Sequence, residues 1–128
     1  MAEQNKKSIL VVDDEPDIIT IIKMALQRNG CGVKEFTNPL LALQHFELNS
    51  TEYDMILSDI RMPGMNGFDL VRKVKTINPQ VKILLMTAFE MQKSELEKVL
   101  PSVKVDGLIQ KPVSMRALVS LLERRPFV

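Results

Sequence analysis

The chain of 128 residues is short of several things, and each shortage removes a class of function. It has one cysteine, Cys31, so no intramolecular disulfide can form, and its neighbours Gly30 and Gly32 give no metal-ligand spacing. The reading that follows is a free thiol in a reducing compartment. Net charge is nearly absent: 17 Lys and Arg against 16 Asp and Glu leave +1, which supplies no global field for nucleic acid or an anionic membrane. A partner has to be found by local surface, and direct nucleic-acid binding is not expected. No apolar run approaches membrane-spanning length and no N-terminal stretch resembles a signal peptide, so the sequence reads as cytoplasmic, without membrane insertion. Internal repeats, low-complexity tracts and linkers are also missing. What is present, 45% hydrophobic and 26% charged residues, suits one globule with one sizeable core, and residues 1–128 are expected to form a single domain.

The stretch around which the chain is organised is Met55-Ile56-Leu57-Ser58-Asp59-Ile60-Arg61-Met62-Pro63-Gly64-Met65-Asn66-Gly67. Its apolar start is too short for a helix and reads as a buried strand, with Asp59 where the strand stops. The Pro/Gly/Asn cluster after it reads as a loop. A second acidic strand end is Asp13-Asp14-Glu15, which follows the aliphatic run Ile9 to Val12. Further short strands are expected at Val33 to Phe36, at Val81 to Met86 ending in Thr87, and at Gly107 to Gln110 ending at Lys111-Pro112. Helical spacing falls between them. Ile18, Ile22, Ala25 and Leu26 mark a helix begun by Pro16 and stopped by Gly30, and Asn38-Pro39 opens one whose stripe is read as Leu40, Leu43 and Phe46. Leu70, Val71, Val74 and Ile77 mark a third, ended by Asn78-Pro79. The fourth, from about Met91 to Leu100, has a thin stripe of Leu96, Val99 and Leu100 and is expected to be the least firmly held. Ser114 caps a fifth, with Met115, Leu118, Val119 and Leu122 inward and Arg124-Arg125-Pro126 ending it.

Five strands alternating with five helices predict a doubly wound parallel α/β sheet. In such a sheet the carboxyl ends of strands share one rim, which brings Asp13, Asp14, Asp59, Thr87 and Lys111 toward a single crevice. Taken singly, a strand-end Asp caps the next helix, a strand-end Thr satisfies its own backbone, and a Lys before Pro is a solvated charge. Together they make a site. Neighbouring carboxylates repel by roughly 4 kcal/mol per pair at 4 Å and an effective dielectric near 20, so they hold a proton or recruit a cation. A hard divalent ion such as Mg²⁺ suits an all-oxygen set. A carboxylate is also a nucleophile toward phosphorus, and Thr87 and Lys111 offer the hydroxyl donor and point charge that a transferring phosphoryl group needs.

Over essentially its whole length the chain resembles the receiver domains of two-component response regulators, through Ile9-Leu10-Val11-Val12-Asp13-Asp14-Glu15-Pro16, Asp59 to Gly67, Thr87-Ala88 and Lys111-Pro112. The resemblance implies a flavodoxin-like five-stranded parallel sheet of order 2-1-3-4-5. It implies that Asp59 is the phospho-acceptor of a sensor histidine kinase or phosphotransfer protein, and that Asp14 ligates Mg²⁺ directly and Asp13 largely through water. The backbone carbonyl of Arg61 and Asp59 itself complete the metal set. Thr87 is implied to bind a phosphoryl oxygen, Lys111 to pair with Asp59 or its phosphate, and Lys111-Pro112 to be a cis peptide. Output is implied to be a changed protein-binding surface of helix 4, strand 5 and helix 5, the face through which a homodimer would also form; the domain catalyses only its own phosphorylation and dephosphorylation.

Three departures from the family pattern stand in the second half. Leu108 replaces the aromatic residue three before the Lys, Lys104-Val105 stands where Gly-Ala is common, and the interval from Thr87 to Lys111 is longer and contains Pro101. With no ring at Leu108, the expected switch is Thr87 and Lys111 meeting the phosphate while the fourth helix moves. Arg61 and Phe89, each two residues beyond a site residue, are expected to lie over the site and slow hydrolysis. Two other classes stay in view. One is a constitutive interaction domain on the same fold that is not phosphorylated; the other is a flavodoxin-like redox protein, which the acidic Asp13-Asp14-Glu15-Pro16 loop opposes because it would repel an FMN phosphate.

Overall fold

The short aliphatic runs form the sheet that their length demanded. In the computed structural model, which describes residues 6–123, the strands are Ser8–Val12 (β1), Gly32–Phe36 (β2), Met55–Asp59 (β3), Lys82–Thr87 (β4) and Gly107–Gln110 (β5). They make one sheet of order β2-β1-β3-β4-β5, parallel at every pairing. The crossovers are the helices Pro16–Arg28 (α1), Pro39–Leu48 (α2), Gly67–Ile77 (α3), Lys93–Val99 (α4) and Met115–Glu123 (α5). This is the doubly wound, flavodoxin-like topology expected from the alternation. Among the described residues no helix is long and apolar enough to cross a membrane.

Because successive strand residues point to opposite faces, the sheet separates two apolar layers. Leu10, Val12, Ile56, Ile83 and Leu85 face α2, α3 and α4 and pack with Ala42, Phe46, Leu70, Val71, Val74 and Leu96. Ile9, Val11, Met55, Leu57, Leu84 and Met86 face α1 and α5 and pack with Ile19, Ile22, Leu26, Leu118 and Leu122. Cys31 is a free cysteine buried in this second layer, where burial pushes its thiol pKa up.

The helices depart from the sequence reading in their faces more than in their places. In α2 the Leu40, Leu43, Phe46 stripe is rotated: Pro39, Ala42 and Phe46 are buried, while Leu40 and Leu41 are 47% and 51% exposed. Six of its first eight residues are apolar, so periodicity could not choose a face. The cap did, since Asn38 Oδ1 accepts from the Leu40 and Leu41 N–H groups at 2.9 and 3.3 Å and fixes the first turn. In α1 Ile19 joins Ile22 and Leu26 inside, with Ile18 half-buried. The fourth helix starts two residues later than expected, at Lys93, because the Glu95 carboxylate accepts the Gln92 N–H at 2.9 Å and closes the end there. It buries Leu96, with Leu100 just beyond, and leaves Val99 41% exposed. Ser114 caps α5 by accepting the Ala117 N–H at 3.2 Å; the expected stop at Arg124-Arg125-Pro126 lies outside the described residues.

The rotated face of α2 is measurable. Phe46→Ala should lower the unfolding free energy by about 3–5 kcal/mol, as large cavities do, whereas Leu41→Ala should stay within about 0.5 kcal/mol of the parent. Urea denaturation of the two variants checks this, and a larger loss for Leu41→Ala than for Phe46→Ala would place Leu41 rather than Phe46 against the sheet.

Candidate functional site

The topology creates the site. After β1 the chain turns to β2 on one side and, later, to β3 on the other, so a crevice opens beyond the carboxyl ends of these two strands. Asp13 and Asp14 follow β1, Asp59 ends β3, Thr87 ends β4 and Lys111 follows β5. Asp14, Asp59, Thr87 and Lys111 converge with Glu15, Ile60, Arg61, Ala88 and Phe89 around a cleft of about 350 Å³, and Asp13 is buried beside them with a carboxylate oxygen within 4.8 Å of those of Asp14 and Asp59.

Each position is fixed by backbone. Asp13 donates its N–H to the Phe36 carbonyl at 3.1 Å, and Lys111 donates its own to the Thr87 carbonyl at 2.7 Å. Gly67 lets α3 start against Asp59: a Cβ there would lie 2.2 Å from the Asp59 carbonyl oxygen, and its N–H donates to the Ile60 carbonyl at 2.7 Å. Asn66 then caps α3 through the Asp69 N–H at 2.9 Å. Gly64, at φ +89°, supplies the left-handed turn in the same loop. The Lys111-Pro112 peptide is cis, as the resemblance implied.

The electrostatics centre on one ammonium. Lys111 Nζ lies 2.9 Å from Asp13 Oδ2, 3.0 Å from Glu15 Oε1 and 3.1 Å from Asp59 Oδ2. Asp59 Oδ1 accepts the Ile60 N–H at 2.9 Å and Asp13 Oδ1 the Glu15 N–H at 2.9 Å. Burial, above all, pushes the Asp13 carboxyl above its ordinary 3.8, against the pull of Lys111 and the Glu15 N–H. Asp59 is raised too, first by burial and then by the Asp13 charge, against Lys111. Burial opposes the Lys111 charge, yet close contacts with the carboxylates of Asp13, Glu15 and Asp59 outweigh it and hold the ammonium pKa above its ordinary 10.5. The carboxyls rise because burial outweighs the pull of Lys111, and the ammonium rises because the carboxylates around it outweigh its own burial.

The residues fit a hard cation. Asp13, Asp14 and Asp59 each offer a carboxylate oxygen, all within 4.8 Å of one another. Asp13 Oδ2 is buried without a hydrogen bond of good geometry, although it is charge-paired with Lys111. An oxygen-only set with a buried lone pair to fill is what a divalent metal of the Mg²⁺ kind takes.

Of the residues singled out in the sequence, Asp13, Asp59, Thr87 and Lys111 come together, Asp14 stands exposed at the edge, and Arg61 and Phe89 face each other across the mouth. The Arg61 guanidinium carbon sits 4.6 Å from the Phe89 ring centroid. Thr87 keeps the modest role as well as its place: its hydroxyl donates to the Phe89 carbonyl at 3.0 Å and accepts the Phe89 N–H at 3.2 Å. Leu108 lies outside the cleft, half-buried against the α3 and α4 layer and paired in register with Leu85. Glu15 was missed as a partner of Lys111; its only signal was its place as third acid in the Asp13-Asp14-Glu15 run.

Raised carboxyl pKa values mean that the folded state holds protons more tightly than the unfolded chain, so ionised Asp13 and Asp59 cost stability at neutral pH. The cost is relieved as pH falls through the folded values toward 3.8. Lys111, raised above 10.5, contributes fully throughout that window. Without divalent ions, Asp59→Asn should therefore melt several degrees higher than the parent at pH 7, about 1 kcal/mol being worth roughly 4 °C in a domain of this size. The gap should close as pH is lowered toward 4. Calorimetry across that range checks it, and a gap that widens on acidification contradicts the assignment.

A family model for the response regulator receiver domain matches residues 9–123. The autoinducer 1 sensor kinase/phosphatase LuxN of Vibrio campbellii is 32% identical over 111 residues, which is 87% of this chain and 12% of LuxN, so the chain spans about an eighth of that relative. The response regulator receiver protein CpdR of Brucella abortus is 31% identical over 118 residues, covering 92% of this chain and 95% of CpdR. Among solved structures, the chemotaxis protein CheY4 of Vibrio cholerae matches with a TM-score of 0.81 at 28% identity, over 93% of this chain and 98% of that one. Since the match runs from the first strand into the last helix and includes the acidic rim, the chain belongs to the response regulator receiver domain family of two-component systems.

Proposed function

We propose that this receiver is a single phosphorylation-switched unit, working in the cytoplasm, in which Asp59 accepts a phosphoryl group from a histidine kinase or phosphotransfer protein. The observation that carries the reading is the pair Asp59 and Lys111, 3.1 Å apart in a cleft, with the carboxylates of Asp13 and Asp14 within 4.8 Å of that of Asp59. Likeness to a sensor kinase/phosphatase and to a receiver protein supports the same donor class.

A carboxylate oxygen of Asp59 attacks phosphorus; the new O–P bond forms as the P–N bond to the donor imidazole breaks, and the imidazole leaves with a proton. The product is an acyl phosphate. Mg²⁺, held by Asp13, Asp14, Asp59 and the Arg61 backbone carbonyl, supplies positive charge to the phosphoryl oxygens when bound. Lys111 gives an N–H to the transferred group, and the Thr87 hydroxyl gives its O–H. To do so Thr87 must release the Phe89 carbonyl, which loosens residues 88–92 ahead of α4. Leu108, packed against the sheet, stays in place, and the altered face of α4, β5 and α5 is read by a protein partner or a second copy. The domain catalyses no reaction but its own phosphorylation and dephosphorylation.

Incubation of the purified chain with acetyl phosphate and Mg²⁺ should add one phosphoryl group by mass, and Asp59→Ala should take up none while keeping its circular dichroism spectrum. Undiminished labelling of the variant sinks the acceptor assignment. A parent that takes up no phosphoryl group favours the alternative, a constitutive interaction domain.

Lifetime follows from the mouth of the cleft. Arg61 and Phe89 close over the line along which water approaches the acyl phosphate, and their cation–π contact is worth about 0.5–1 kcal/mol at such an exposed position. The double variant Arg61→Asn, Phe89→Ala should lose its phosphoryl group several-fold faster than the parent. Equal decay rates in a mass-spectrometric time course would remove the steric argument.

A further inference from the structure

Glu15 is the one acidic residue of the cleft to which the proposed reaction gives no task. Its backbone is held at the start of α1, the N–H donating to Asp13 Oδ1 at 2.9 Å and the carbonyl accepting the Ile19 N–H at 3.2 Å. Its side chain makes no helix cap. Instead Oε1 reaches across the cleft to Lys111 Nζ at 3.0 Å.

An ammonium has three N–H groups, and here three carboxylates surround it at 2.9, 3.0 and 3.1 Å. These partners differ in what it costs to give them up. The Asp13 side chain is 0% exposed and that of Asp59 is 8%, so neither can be rehydrated without opening the cleft. The Glu15 side chain is 60% exposed and can swing into water.

We propose that Glu15 is a displaceable counter-ion, which occupies a Lys111 N–H in the unphosphorylated protein and yields it to an incoming phosphoryl oxygen. The proposal rests on the reading of Asp59 as acceptor. Glu15 and the phosphoryl anion compete for the same donor, so the Glu15 carboxylate weakens capture of phosphoryl anions while keeping Lys111 aimed at the mouth. It is a positioning residue that acts through Lys111. Its reach matters as well as its charge, because only a side chain as long as glutamate spans from the α1 start to Nζ.

The test titrates beryllofluoride, which coordinates a carboxylate oxygen and presents fluorines in place of phosphoryl oxygens, into the full chain at saturating Mg²⁺. Amide resonances of Thr87 and Lys111 report binding. Glu15→Gln removes the charge, and Glu15→Asp keeps it but withdraws it from Lys111. Both variants should lower the apparent Kd about fivefold, the equivalent of about 1 kcal/mol for an exposed ion pair, without a change in melting temperature. Affinity unchanged or weakened in both overturns the proposal, and so does tightening in Glu15→Gln alone, which would show a charge effect without pairing. Asp59→Asn should bind no beryllofluoride; binding retained there would overturn the acceptor reading itself, and is thereby told apart from a failure of Glu15 alone.

Discussion

Two carboxylates, Asp13 and Asp59, are buried beside each other with Lys111 as the ammonium that touches both. Burying a charge is expensive unless it is paired and hydrogen-bonded, and here the pairing is incomplete, since the acids keep raised pKa values and Asp13 Oδ2 lacks a well-formed hydrogen bond. The arrangement is poor as a stabilising device and good as a binding one. It leaves negative charge that a cation relieves, and it leaves Asp59 ionisable next to a positive group that a phosphoryl oxygen can share.

The fold bears this cost through its two apolar layers. Strands β1, β3 and β4 are buried on both faces, so the loops at their carboxyl ends hang from the most rigid part of the molecule. Side chains on such a rim are held by what lies beneath them: Asp59 by pairing in register with Met86, Lys111 by its N–H on Thr87. Gly67 completes the support by letting a helix begin where any Cβ would collide with the Asp59 carbonyl. Among the described residues, the buried side-chain polar atom left without a hydrogen-bond partner is Asp13 Oδ2, within this cluster.

The sheet was legible because continuous aliphatic runs such as Ile9 to Val12 and Met55 to Leu57 have few other uses, and the strand ends carried the site with them. Asp13, Asp59, Thr87 and Lys111 could be read as one cluster because topology, not side-chain detail, brings them together. What resisted reading depended on geometry finer than periodicity. The face of α2 was set by an Asn38 cap in a helix too uniformly apolar to show a stripe, and the start of α4 by a contact between Gln92 and Glu95. Glu15 belonged to a visible acidic run, but that its carboxylate reaches Lys111 is decided by its rotamer beyond the end of β1. Leu108 packs half-buried against the layer that also holds Leu85.

The coupling from site to surface, on the proposed function, comes down to the arithmetic of donors. Thr87 has one hydroxyl proton, and in this structure the Phe89 carbonyl accepts it. A phosphoryl oxygen on Asp59 is an anionic acceptor, and hydrogen bonds to charged groups are worth about 1.5–3 kcal/mol against about 1 for neutral pairs, so the proton moves to the phosphate when one is present. The same residue, Phe89, carries the ring on which Arg61 rests, and α4 follows within a few residues with little more than Leu96 and Leu100 to hold it. One transferred hydrogen bond therefore releases the loop at its start, while the helix beyond it is seven residues long and buries Leu96 alone within its span. On this reading the region that answers the chemistry is a loop and a short helix with a small apolar anchor, and the message passes without a ring at position 108.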